Sequence, residues 1–199
     1  MVRTLAFWSA IIGASLLVLM TVAGAAAWPG YSHVSQYISE LGATGAPHGR
    51  LVSLGGFLPV GVLLTTFAFL AALIPPRGVL KTLGCIGLFL FALGYLGAAV
   101  FPCDFGCRPE TPSGSQMLHM AFGLAGYILA PLTLAVLAIA SRKWPGAKGL
   151  FPLGLVCAVV AGIAFFSMAD PFAGLFQRVL EGSVLLWIVA FAFTLRRAP

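Results

Sequence analysis

The chain has 199 residues, of which 60% are hydrophobic and only 8% are charged, against about a quarter charged in soluble domains. So few polar side chains cannot cover a water-soluble core of this size, and the bilayer is the expected solvent. The formal net charge of +6 lies on residues that punctuate apolar runs. It points to topology and anionic inner-leaflet lipid, not to nucleic acid.

Six runs are long enough to span about 30 Å of hydrocarbon as helix: Leu5–Trp28, Leu51–Ile74, Leu83–Phe101, Met117–Ala140, Leu150–Met168 and Phe176–Leu195. Helix is required because each backbone N–H in lipid must be satisfied within its own segment, and the short alternating segments of an outer-membrane barrel are absent. The expected fold class is therefore an all-α membrane protein, residues 1–199 forming a single six-transmembrane-helix bundle. Pro59, Pro131 and Pro152 are expected to kink or start helices. Gly84, Gly87, Gly94, Gly97, Gly123 and Gly126 are expected to let helix backbones approach closely. Arg3 and Ala25-Ala26-Ala27 also resemble a signal peptide with its cleavage site. The apolar run between them is longer than the about 7–15 residues of such signals, so the segment is read as the first span.

Positive charge sets the orientation. With the N-terminus inside, the cytoplasmic segments hold Arg3, Arg77, Lys81, Arg142, Lys143, Lys148, Arg196 and Arg197, and the outer segments hold Arg50, Arg108 and Arg178. That bias predicts a cytoplasmic (inner) membrane protein with both termini in the cytoplasm. The acids Glu40, Asp104, Glu110, Asp170 and Glu181, and the histidines His33, His48 and His119, all fall toward the outer side. The inner halves of the spans offer little beyond Thr65, Thr66, Thr133 and Thr194.

The first outer loop, Pro29 to Arg50, is patterned. Val34, Tyr37, Ile38 and Leu41 recur at helical spacing, with His33, Gln36 and Glu40 on the opposite face. Ser32 is placed to cap a helix and Gly42 to end one in the left-handed conformation. A short amphipathic helix is expected, lying at the headgroups or forming the lid of a site. In the next outer loop, Cys103 and Cys107 are spaced for a disulfide across three residues in an oxidising compartment, with Gly106 easing the turn. Two free thiols and a metal site using both are the alternatives, and zinc would need further ligands. Cys85 and Cys157 read as small apolar fillers.

Intramembrane polar residues gather on two helices. Gln116, His119, Gly123 and Tyr127 follow one face of the fourth span, and Gln177, Arg178 and Glu181 lie within one turn of the sixth, where Arg178 and Glu181 are spaced to pair. Ionisable groups at such depth usually face the interior and mark function, or else clamp helices together. Ser53, Tyr95 and Ser167 are placed to join them. An outward-facing pocket of His33, Gln36, Glu40, Asp104, Gln116, His119, Arg178 and Glu181 is the expected ligand site.

The order Tyr31-Ser32-His33, Gln36, Ile38-Ser39-Glu40-Leu41-Gly42-Ala43, then Pro47, resembles the first-loop signature of a prokaryotic membrane family catalogued as domain of unknown function 998. Phe101-Pro102-Cys103-Asp104, His119 and Gly174-Leu175, Gln177-Arg178, Glu181 are similar to its later motifs. The resemblance runs over most of the chain and implies a six-helix-type integral membrane protein with its motif residues toward one side. It implies no catalytic roles.

Three functions compete. The first is binding or sensing of a lipid or other amphiphile from the outer leaflet. The second is a metal-dependent intramembrane hydrolase, with zinc on His33, His48 and His119 and with His119, Asp104 and Glu181 as catalytic candidates. No local metal motif supports it. The third is an accessory or scaffold subunit. Metal-free acid–base catalysis is a minor variant. Two-haem electron transfer lacks histidines for its usual ligand pairs, and transport lacks a polar path through the inner half or a visible repeat. Expected partners are membrane lipid and either a second copy or another membrane protein.

Overall fold

The apolar runs coil into six helices because hydrocarbon leaves the backbone no other partner. The computed structural model describes residues 1–144 and 146–197, and among them there is no strand. The helices are α1 (Val2–Ala26), α2 (Gly49–Leu73), α3 (Val79–Val100), α4 (Gly114–Ser141), α5 (Leu150–Phe166) and α6 (Ala173–Arg197). Five are long and apolar enough to cross a membrane, and α5, at 17 residues, is shorter. At 1.5 Å per residue α5 covers about 26 Å. It stops at Phe166, short of the expected Met168, as the chain turns through Ser167. The other helices begin two or three residues before the apolar runs, or four in α3; α1, α2 and α3 end one or two residues short of them, and α4 and α6 run one and two residues past.

Each helix packs on its sequence neighbours, and α6 closes on α1, so the bundle is a ring. The C-termini of α1, α3 and α5 and the N-termini of α2, α4 and α6 share one end of it, here the cavity end. The exterior carries exposed Val18, Leu19, Leu51, Phe69, Leu132, Val159 and Phe166, the surface of an integral membrane protein. The centre holds Phe67, Leu88, Leu134, Leu180, Trp187 and Phe191, all nearly inaccessible.

Small residues make the α3–α4 seam. A Cβ on Gly84 would fall 2.3 Å from Leu137 Cγ, and one on Gly97 would fall 2.4 Å from Phe122 Cγ. Gly94 also faces that seam, where a Cβ would lie 3.6 Å from the Phe122 carbonyl oxygen and 4.0 Å from Gly123 Cα, whereas nothing lies within 4 Å of a Cβ built on Gly123. Pro59 follows a π turn over Ser53–Phe57. The wider turn carries the helix past the bond that a proline cannot donate. Pro131 is inside α4, and Pro152 sits in the first turn of α5.

The opposite end corrects the reading of Lys81 as a plain loop charge. Lys81 is 2% exposed; its ammonium donates to the Ile74 carbonyl and lies 5.6 Å and 5.9 Å from the Trp144 and Phe191 ring centres. Aromatic faces offset part of the cost of taking a cation out of water. Arg196 over Phe7, at 4.3 Å, is a more exposed version at the same end.

The first loop differs from the expected amphipathic helix. A turn at Ser32–Gln36 is followed by a 3₁₀ helix over Ile38–Gly42. Ile38 and Leu41 face the core as the pattern suggests, but Val34 is exposed and Glu40 is buried. Glu40 turns inward because its carboxylate accepts from the Tyr37 N–H at 2.9 Å and from the Gln36 amide at 2.9 Å. Gly42 is not in the left-handed region. It is a packing glycine: a Cβ there would sit 2.6 Å from the Phe57 ring and 2.8 Å from Ser53 Oγ. The Ser53 hydroxyl donates to the Gly42 carbonyl at 2.9 Å, locking this segment onto α2.

Candidate functional site

A cavity of about 450 Å³ opens at this end of the ring. Helix α4 supplies Gln116, His119, Gly123 and Tyr127, the four residues that share one face by spacing. Gly94 and Tyr95 of α3 stand beside them, and Gln177 and Glu181 of α6 face them across the space. Tyr37–Ser39 from the first loop and Cys107–Arg108 from the second form the roof.

One wall is apolar. Met120 and Leu124 of α4, with Phe165 and Met168 from the end of α5, line the cavity. Met120 is 54% and Leu124 49% exposed, so this wall runs without a break into the outer face of the bundle.

The polar wall is a connected network. Tyr127 donates to Glu181 Oε1 at 2.6 Å, and Tyr95 donates to Glu181 Oε2. The Gln177 amide donates to Tyr127 Oη at 2.8 Å, and Gln177 Oε1 accepts from the Ile38 N–H at 2.5 Å. Glu181 is 5% exposed, and both of its oxygens are engaged, as a buried carboxyl group requires. The expected Arg178–Glu181 pair does not form. Arg178 gives Nη1 to the Gln36 and Gly174 carbonyls, each at 2.9 Å, and Nη2 to Tyr31 Oη at 2.7 Å. It anchors the loop from behind. Burial raises the Tyr31 hydroxyl above the ordinary phenol value, with the Arg178 guanidinium pulling the other way.

Gln116 holds the other half of the roof. It accepts from the Asp104 N–H at 2.9 Å and donates to the Cys107 carbonyl at 3.0 Å. Asp104 does not reach the cavity. Its carboxylate accepts from the Ser113 N–H at 2.9 Å and the Ser113 hydroxyl at 2.7 Å, next to the start of α4, and Ser113 Oγ in turn caps that helix. Those bonds hold the Asp104 carboxyl below its usual range. Cys103 and Cys107 are joined in a disulfide with Cα atoms 5.1 Å apart. Arg108 pairs with Asp170 at 2.5 Å and lies over the Tyr37 ring at 4.5 Å.

Of the eight expected ligand-site residues, Gln116, His119 and Glu181 line the cavity. Gln36, Glu40, Asp104 and Arg178 instead hold the roof in place. His33 is exposed and edge-on to Tyr31 at 5.5 Å; desolvation, then the nearby Arg178 charge, lowers its pKa. The three histidines do not gather: His48 is exposed at the start of α2, and His119 alone faces the cavity. Among the described residues the one cluster with metal-ligand spacing is Cys103, Cys107 and His119. Ser53 holds the first loop and does not line the space, nor does Ser167. Sequence reasoning missed Ser39 and assigned Tyr37 only to an apolar stripe.

A family model described as "Protein of unknown function (DUF998)" matches residues 11–194, nearly the whole chain. The chain belongs to the DUF998 family. The match takes in α2 to α5, most of α1 and α6, the roof segments and every cavity residue, so in this DUF998 protein the site lies within the matched span. No curated protein and no solved structure matches it.

Proposed function

We propose that this DUF998 protein binds or senses a lipid or other amphiphile that enters its cavity sideways from the outer leaflet. The chain crosses the cytoplasmic membrane six times in this reading, with both termini inside. Eight of its eleven Lys and Arg residues then lie on the cytoplasmic side, the distribution that short loops follow. Helix α5 spans in spite of its length because modest bilayer thinning accommodates a helix a few ångströms short.

The observation that carries the reading is the two-sided cavity. Met120, Leu124, Phe165 and Met168 make a wall continuous with the hydrocarbon-facing surface, opposite a wall of Glu181, Tyr127, Gln177 and His119. An acyl or isoprenoid chain fits the first wall. A headgroup bearing hydroxyl, amine or amide donors fits the second, where Glu181 and His119 offer acceptors. A cavity with a mostly apolar lining and a few convergent polar groups is the usual form of a small-molecule site.

Native mass spectrometry of the chain released from mild detergent tests this directly. A retained lipid-sized mass at one per chain supports the proposal. A bare chain under conditions that keep it folded contradicts it and favours an accessory or scaffold role.

A further inference from the structure

Beside His119, which the amphiphile reading uses as an acceptor, stand two cysteine sulfurs that it does not use. The two sulfurs of Cys103 and Cys107 and a ring nitrogen of His119 all lie within 4.8 Å of one another. Ligands of tetrahedral zinc, with bonds of about 2.0–2.3 Å, stand about 3.3–3.8 Å apart. Small side-chain rotations therefore separate these atoms. We propose that reduction of the Cys103–Cys107 disulfide creates a Cys₂His zinc site with its fourth position open to the cavity.

The histidine is already set for that role. Its Nδ1 lies 3.0 Å from the Phe101 carbonyl. A carbonyl oxygen only accepts, so Nδ1 carries the proton and the Nε2 lone pair is left for a ligand. Metal-binding histidines are commonly oriented in this way, by a backbone carbonyl on the second nitrogen. Ser39 Oγ sits 3.4 Å from Cys107 Sγ, where its hydroxyl donates to a thiolate.

Charge also favours the site. A dithiol reductant opens the S–S bond by exchange, receives the two electrons' worth of oxidation as its own cyclic disulfide, and leaves two thiols. Zn²⁺ displaces both thiol protons to solvent. Two thiolates and a neutral imidazole on a dication give zero net charge, which a roof as buried as this one tolerates. Cys103 is fully inaccessible and Cys107 9% exposed. Cys107 and His119 both line the cavity, so the open position points to water or to a heteroatom of whatever occupies it. Three protein ligands and one exchangeable position make the catalytic form of a zinc site. The site shares His119 with the amphiphile reading, but metal binding needs no amphiphile in the cavity.

The test uses the full chain in detergent and Co²⁺ as the spectroscopic probe, with a phosphine as non-thiol reductant. The phosphine becomes its oxide, taking oxygen from water, whose protons go to the sulfurs. The expected result is one Co²⁺ per chain with a thiolate-to-cobalt charge-transfer band after reduction, displaced by Zn²⁺, and no such band in the oxidised protein. Cys107→Ser and His119→Ala should each weaken binding by at least about tenfold. His119→Gln serves where alanine loosens the fold. No band after reduction, an affinity indifferent to His119, or a disulfide that resists the phosphine in folded protein overturns the proposal.

Discussion

The Tyr127 hydroxyl donates to Glu181 Oε1 at 2.6 Å, joining α4 to α6 across a space that no side chain fills. The two helices are not ring neighbours, so this bond and its companion from Tyr95 set the width of the cavity. Replacing the acceptor therefore has a readable consequence.

Glu181→Ala leaves two hydroxyls without an acceptor, each costing about 1–3 kcal/mol when buried. Glu181→Gln keeps one carbonyl oxygen and is expected to lose about half as much. Chemical unfolding in detergent checks the order wild type, Gln, Ala. Equal stability of all three would remove the network from the account of the fold.

Two glycines should respond in opposite senses. A Cβ on Gly174 would lie 2.1 Å from the Gln36 carbonyl oxygen, at the crossing of α6 and the first loop, so Gly174→Ala must move backbone. Gly123→Ala meets nothing and gains helix propensity of up to about 1 kcal/mol. Thermal shifts of opposite sign are expected, and the same sign for both would contradict the placement of Gly123 on an open wall.

Arg178 holds the first loop through the Gln36 carbonyl and Tyr31. A lysine has one nitrogen and cannot span both, so Arg178→Lys should speed proteolysis between residues 31 and 48 several-fold while leaving the helices intact. An unchanged cleavage rate would mean that Gln177 and Gly42 suffice to hold the roof.

Acid should loosen the second loop. Asp104 titrates below its unfolded value because it accepts two bonds from Ser113. A depressed carboxyl pKa contributes stability that is complete above about pH 4 and lost as pH falls through the folded value. Asp104→Asn should flatten that acid limb of the stability profile, measured between about pH 5 and 2. A limb of unchanged slope would show that the Asp104–Ser113 bonds do not form in solution.

The helices were legible from composition and run length, since hydrocarbon leaves no alternative conformation. The cavity wall on α4 was legible too, because Gln116, His119, Gly123 and Tyr127 repeat at helical spacing. The roof was not. Its apolar periodicity is real at Ile38 and Leu41, yet Glu40 escapes the polar face by folding back on the Tyr37 amide, a choice that spacing does not encode. Arg178 and Glu181 were suitably spaced, but each found partners from segments far away in sequence. Asp104 looked like a catalytic acid by residue type alone, and its neighbour Ser113 shows it closing a loop instead. The nearness of His119 to the cysteines depends on how the Phe101–Ser113 segment folds back over α4, which only the assembled bundle shows.

The most direct test of the amphiphile cavity is paired native mass spectrometry of wild type and Gly123→Leu from the same detergent. Gly123 lines the cavity, and a Cβ built on it meets nothing within 4 Å. Wild type carrying one lipid-sized mass, and an equally stable Gly123→Leu carrying none, is the expected result. Equal retained mass in both would contradict binding in this cavity, and a bare wild type would leave the polar network as a clamp between helices.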